Sequence, residues 1–163
     1  MTLAKLSYYA FDVATVTLFI GFILLVVHTT LLAAGRRQVL ATASAGGPSM
    51  SVGTSGTSAT PAGSVGQIFV WVSAVMLAIG LLVRAYLVGR GPWGNLYEFS
   101  VAFAFGVICG YLYLQRRYPI RAIAFLPIGV AAFLLGYAFT LPQEISNLVP
   151  ALDNPPLLTI HVA

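Results

Sequence analysis

The chain has 163 residues, of which 59% are hydrophobic and only 7% are charged, far below the roughly 25% charged residues of an average soluble domain. That composition excludes a soluble globular domain and defines an integral membrane protein. The formal charge of +4, from eight Lys and Arg against four acids, is read as membrane topology and not as nucleic-acid binding.

The apolar runs lack the two-residue alternation of barrel strands, so an all-α membrane fold is expected. The first predicted span covers residues 8–34, longer than the roughly 20 residues needed to cross a bilayer and far longer than a signal-peptide core of about 7 to 15. It has no convincing basic start or cleavage site and is read as a retained helix. Residues 35–66 are rich in Gly, Ser, Thr and Ala, with Pro48 and Pro61. Such a segment buries too little apolar surface to order itself, so a flexible low-complexity loop is expected.

The second span is predicted over 68–88, ended by Gly89-Arg90-Gly91-Pro92, because proline lacks a backbone donor and glycine frees the chain. The third is predicted over 96–114. A basic turn at 115–121 leads to the fourth, over 122–141, in which Pro127 is tolerable near a membrane-helix start. Residues 142–157 form a connecting segment, and the run Leu157-Leu158-Thr159-Ile160-His161-Val162-Ala163 opens a further apolar stretch. The chain thus reads as one membrane domain over 1–163, with four complete transmembrane helices plus the start of a fifth, and as the first part of a longer protein.

Arginine placement orients the spans. Arg36 and Arg37 follow the first, and Arg116, Arg117 and Arg121 separate the third and fourth, so that side is predicted to be cytoplasmic, with the loops 35–66 and 115–121. The N-terminus and the segment 142–157, whose charges are Glu144 and Asp153, then face outward from the cell membrane. His161 would enter the fifth span from that outer face. Tyr8, Tyr9, Trp93 and Tyr97 fall near the same boundary, as an aromatic belt would.

Few residues can carry chemistry. His28, near the cytoplasmic end of the first span, could ligate haem iron or hydrogen bond to a neighbouring helix. His161 is either a ligand or an interfacial histidine satisfied by water. Arg84 lies about one turn before the end of the second span and Glu98 opens the third. Ionisable groups at membrane depth usually face a bundle interior, so these two are a candidate ion pair; snorkelling of Arg84 to the interface is the competing reading. Glu98 also complements the helix dipole, and Asp12 reads as an interface anchor. The lone Cys109 has no intrachain partner and reads as packing. No nucleophile with a base, phosphate loop or carboxylate pair is present, so a self-sufficient enzyme is not expected.

Two stretches carry a family resemblance. Leu81-Leu82-Val83-Arg84-Ala85-Tyr86-Leu87, followed by Gly91-Pro92-Trp93-Gly94-Asn95-Leu96-Tyr97-Glu98-Phe99, resembles the helix-end and Asn-Leu-Tyr-Glu signature of the CcsA (ResC) cytochrome c biogenesis family. The ending Leu158-Thr159-Ile160-His161-Val162-Ala163 is similar to the start of the helix that carries this family's first external haem-ligating histidine. The resemblance implies a multi-span membrane protein that, with a ResB-type partner, presents haem at the outer face for attachment to the CxxCH site of apocytochrome c. It implies that His161 is an axial haem ligand, with His28 a further candidate. The family's tryptophan-rich external motif and second external histidine follow this helix, so the 163 residues alone are not expected to form a complete haem lyase or synthase site.

Two readings compete with this one. The first is a structural or assembly subunit of a membrane complex that binds no cofactor and uses its aromatic loops for partner contact. The second is a small transporter with Arg84 and Glu98 along its path, disfavoured by the scarcity of other buried charges.

Overall fold

The structure, a computed structural model, describes residues 3–44, 61–89, 91 and 94–143. Its elements are α1 (Leu3–Ser44), α2 (Pro61–Val88), α3 (Leu96–Arg117), a 3-10 turn (Ile120–Ile123) and α4 (Phe125–Ala138). No strand occurs among the described residues, and four helices are long and apolar enough to cross a membrane. The expected all-α membrane class is therefore observed. The expected start of a fifth helix lies outside the described residues, as do Trp93, the segment from Glu144 and His161.

Helix limits differ from the sequence reading where hydropathy and hydrogen bonding part company. α1 runs on to Ser44 and α2 begins at Pro61, so both ends of the predicted loop 35–66 are helical. Arginine, glutamine and alanine end an apolar run without ending a helix, since all three are good helix formers. Proline suits the first helical position of α2, where its missing N–H would have had no intrahelical partner. α2 stops at Val88 because Gly89 takes φ +67° while its N–H still reaches Ala85 O at 3.0 Å, a left-handed helix stop that glycine adopts without steric penalty. Pro127 falls in the first turn of α4, where no intrahelical donor is lost.

α1 packs antiparallel on α2, and α3 on α4; α1 also meets α4, and α2 touches α3 more lightly. Lipid is as apolar as leucine, so helix association in a membrane rests on close packing and hydrogen bonds. The α1–α2 seam shows both. A Cβ on Gly66 would lie 3.1 Å from Leu24 Cβ and 3.3 Å from Gly21 O, and one on Gly80 would lie 2.5 Å from Phe11 Cε1. Between these contacts Ser73 Oγ donates to Ala14 O at 2.8 Å. Phe22 presses on Gly129 in the same manner at the α1–α4 contact. The antiparallel order gathers Arg36, Arg37, Arg116, Arg117 and Arg121 at one end of the bundle and Tyr8, Arg84 and Glu98 at the other.

Candidate functional site

The non-basic end is organised by one buried arginine. α2 delivers Arg84 to the interior near its C-terminus, with 0% of its surface exposed, and α3 presents Glu98 opposite at 1%. Arg84 Nε donates to Glu98 Oε1 at 2.8 Å. Arg84 Nη2 donates to Gln143 O at 2.8 Å, and Tyr8 Oη from α1 donates to the same carbonyl at 3.0 Å. The guanidinium carbon lies 5.1 Å from the Tyr97 ring centroid and 5.6 Å from that of Tyr8, both within cation–π range. Phe11 closes the back of Tyr97 edge to face, with centroids 6.0 Å apart. The cluster therefore joins α1, α2, α3 and the chain leaving α4. Arg84 Nη1 is buried without a hydrogen-bond partner among the described residues, and the two π faces beside the guanidinium offset part of that cost.

Local sequence explains how Glu98 comes to face inward. Asn95 caps α3 from an extended conformation, and its side chain accepts from Glu98 N at 2.7 Å. Glu98 stands three residues after the cap, where a capping-box carboxylate turns back to the cap's own N–H. Here Glu98 Oε2 reaches one residue further, accepting from Gly94 N at 2.9 Å, which leaves Oε1 for Arg84. Asn95→Ala removes the cap that presets this geometry. We expect it to lower unfolding stability by about 1 kcal/mol, read as a shift in a reversible denaturation curve in mixed micelles.

The sequence-predicted residues are distributed as follows. Arg84 and Glu98 are brought together, and the interior position of Arg84 leaves no snorkelling to the interface. Asn95 and Tyr97 stand beside them, whereas Leu96 points outward, 55% exposed. Tyr97 is 3% exposed and so belongs to the interior and not to an aromatic belt; Tyr8 spends its hydroxyl on Gln143. Asp12 is exposed. His28 is buried at the opposite, basic end of α1, its ring seated on Gly63 of α2, where an added Cβ would fall 2.7 Å from Nδ1. That packing seats the ring in the α1–α2 contact. Cys109, expected as packing, is exposed and lines a groove between α2 and α3. Among the described residues no group of three or more His, Cys, Asp or Glu is placed to hold a metal ion.

Sequence reasoning missed the carbonyl of Gln143, the hydroxyl of Tyr8 and a third cation–π contact, with Arg116 5.3 Å from the Trp71 ring centroid. A backbone acceptor leaves no mark in sequence. Tyr8 and Trp71 are indistinguishable there from belt aromatics.

Comparison with known proteins bears out the resemblance to CcsA proteins. The chain is similar to the cytochrome c biogenesis protein CcsA of Prochlorococcus marinus strain MIT 9312, 34% identical over 93 residues, which is 55% of this chain and 30% of that protein. With CcsA of strain MIT 9515 the identity is 32% over 101 residues, 60% of this chain and 32% of the relative. Protein NrfI of Wolinella succinogenes is 32% identical over 94 residues, 57% of this chain and 10% of its own length. The chain thus spans about 30% of the length of the CcsA relatives it matches. No family model and no solved structure matches it.

Proposed function

We propose that this chain works in cytochrome c biogenesis, as part of a multi-pass membrane protein that handles haem at the outer face of the cell membrane. The observation that carries the reading is the similarity to CcsA proteins over more than half of the chain. In this reading the arginine-rich end is cytoplasmic, following the excess of basic residues there, and the Arg84 cluster lies at the outer end. His161, after four spans and on that outer side, is the axial ligand that holds haem iron. Haem is the cargo, and its vinyl groups become linked to the two thiols of a CxxCH site in apocytochrome c. A ResB-type membrane protein completes the assembly. An axial ligand of this kind fixes the macrocycle so that vinyl carbons and thiols meet in a reactive orientation.

His28 is the further ligand candidate, and its ring packs over Gly63. Its first role in this reading is to seat α1 on α2. Two residues of this chain act on geometry alone: Glu98 and Arg84 tie the start of α3 to the chain leaving α4 at Gln143, and so hold the ends of the outer connections at fixed positions.

The test is spectroscopic. The full-length protein, expressed with a ResB-type partner, is expected to copurify with haem, and His161→Ala is expected to weaken the haem absorption and cytochrome c maturation together. A haem-free complex that matures cytochrome c normally after that substitution overturns the proposal.

A further inference from the structure

α2 and α3 meet near both ends but part in between. At one end Arg84 pairs with Glu98; at the other, Tyr111 Oη donates to Gln67 Oε1 at 2.9 Å. Between these ties Trp71, Ala74 and Ala78 lie at successive turns of α2, opposite Phe105 and Cys109 of α3, and with Arg116, which follows the Tyr111 tie, they line an open groove of about 330 Å³. The spacing creates it: alanines at positions 74 and 78 repeat every four residues, the helical interval that stacks side chains on one face, so the floor is shallow. The rim is built from larger side chains. Its walls are almost wholly apolar up to Arg116, whose guanidinium lies over Trp71.

The height of Arg116 follows from helix length. The 22 residues of α3 extend about 33 Å, close to the roughly 30 Å hydrocarbon core, so its last turn stands at the polar interface. Arg117 and Arg121 share that level. The acids among the described residues, Asp12 and Glu98, both belong to the opposite end, which leaves this cluster of guanidiniums without a carboxylate nearby. An apolar channel at chain depth beneath an uncompensated cation at headgroup depth has the charge and polarity pattern of a phospholipid carrying a net negative charge.

We propose that the α2–α3 groove binds an anionic phospholipid, with one acyl chain along Ala74, Ala78 and Cys109 and the phosphate at Arg116. The lipid fills the opening between two lightly packed helices and neutralises the cation over Trp71. This inference stands apart from the haem-handling reading and does not depend on it.

Trp71 is the reporter. The 163-residue chain has two tryptophans, so when that chain carries Trp93→Phe all its indole fluorescence comes from Trp71 in the groove. The protein is reconstituted in phosphatidylcholine vesicles doped with equal mole fractions of chain-brominated phosphatidylglycerol or chain-brominated phosphatidylcholine. Brominated phosphatidylglycerol is expected to show a roughly fivefold occupancy advantage in quenching. Arg116→Gln should abolish it and Arg117→Gln should largely keep it, while Ala78→Leu should reduce quenching by both lipids. Equal quenching by the two lipids overturns the proposal. So does equal loss on Arg116→Gln and Arg117→Gln, which signals a diffuse surface field, or a Trp71 shielded from both, which signals that protein covers the groove.

Discussion

Glu98→Gln is expected to destabilise the bundle by about 3 to 5 kcal/mol, the range for breaking a buried ion pair by removing one partner. The substitution keeps size and shape, so the loss is electrostatic. Glu98 accepts from Arg84 Nε through one oxygen and from Gly94 N through the other; an amide in its place must aim an N–H at one of those donors, and the guanidinium is left charged and unpaired in the interior. Arg84→Lys should cost less. It retains a cation near Glu98 and gives up the Nη2 bond to Gln143 O, an acceptor that Tyr8 Oη still serves. Replacing both partners separates pairing from packing: Arg84→Met with Glu98→Leu should recover most of the stability lost in Glu98→Gln, because burying two apolar groups leaves no charge stranded. Wild-type stability for both single variants, measured by reversible denaturation in mixed micelles, would remove the pair from any structural role.

The second large effect is steric. Gly80→Leu should cost about 3 kcal/mol, the upper part of the usual range for overpacking a core. The added Cβ meets Phe11 Cε1 at 2.5 Å, and Phe11 has little room to retreat, being 2% exposed and held against Tyr97. Phe11→Ala combined with Gly80→Leu exchanges bulk across the seam and should recover part of that loss. Gly110→Ala is the control, since nothing lies within 4 Å of the new methyl; it should be neutral or slightly stabilising because alanine is the better helix former. If Gly80→Leu and Gly110→Ala gave the same denaturation midpoint, the α1–α2 seam would not be a tight contact.

Particular residues show why parts of this architecture are legible in sequence and others are not. The membrane class and the number of spans follow from apolar runs whose lengths are set by bilayer thickness. The Arg84–Glu98 pair is legible because two costly charges flank a short break and adjacent helices are usually neighbours in space. The helical reach of α1 to Ser44 is not, because hydropathy records where a chain leaves lipid whereas helix ends are set by hydrogen bonds and caps. The seam glycines Gly21, Gly66 and Gly80 look like any others in a membrane helix, and only the opposing Phe11, Leu24 and Gly66 carbonyl contacts distinguish them. Cys109 reads as packing because its neighbours in sequence are apolar. Its exposure arises from Ala74 and Ala78, more than thirty positions away in sequence.

The Arg84 cluster also has an order in time. Its contributors leave the ribosome as Tyr8, then Arg84, then Tyr97 and Glu98, and last Gln143, whose carbonyl accepts from two of the earlier side chains. A nascent chain that holds α1 to α3 but lacks the exit of α4 has Arg84 paired with its carboxylate, yet leaves Tyr8 Oη and Arg84 Nη2 without that acceptor. Polar donors left open at membrane depth are costly. Arrival of residue 143 therefore marks the point at which Tyr8 Oη and Arg84 Nη2 both find their acceptor.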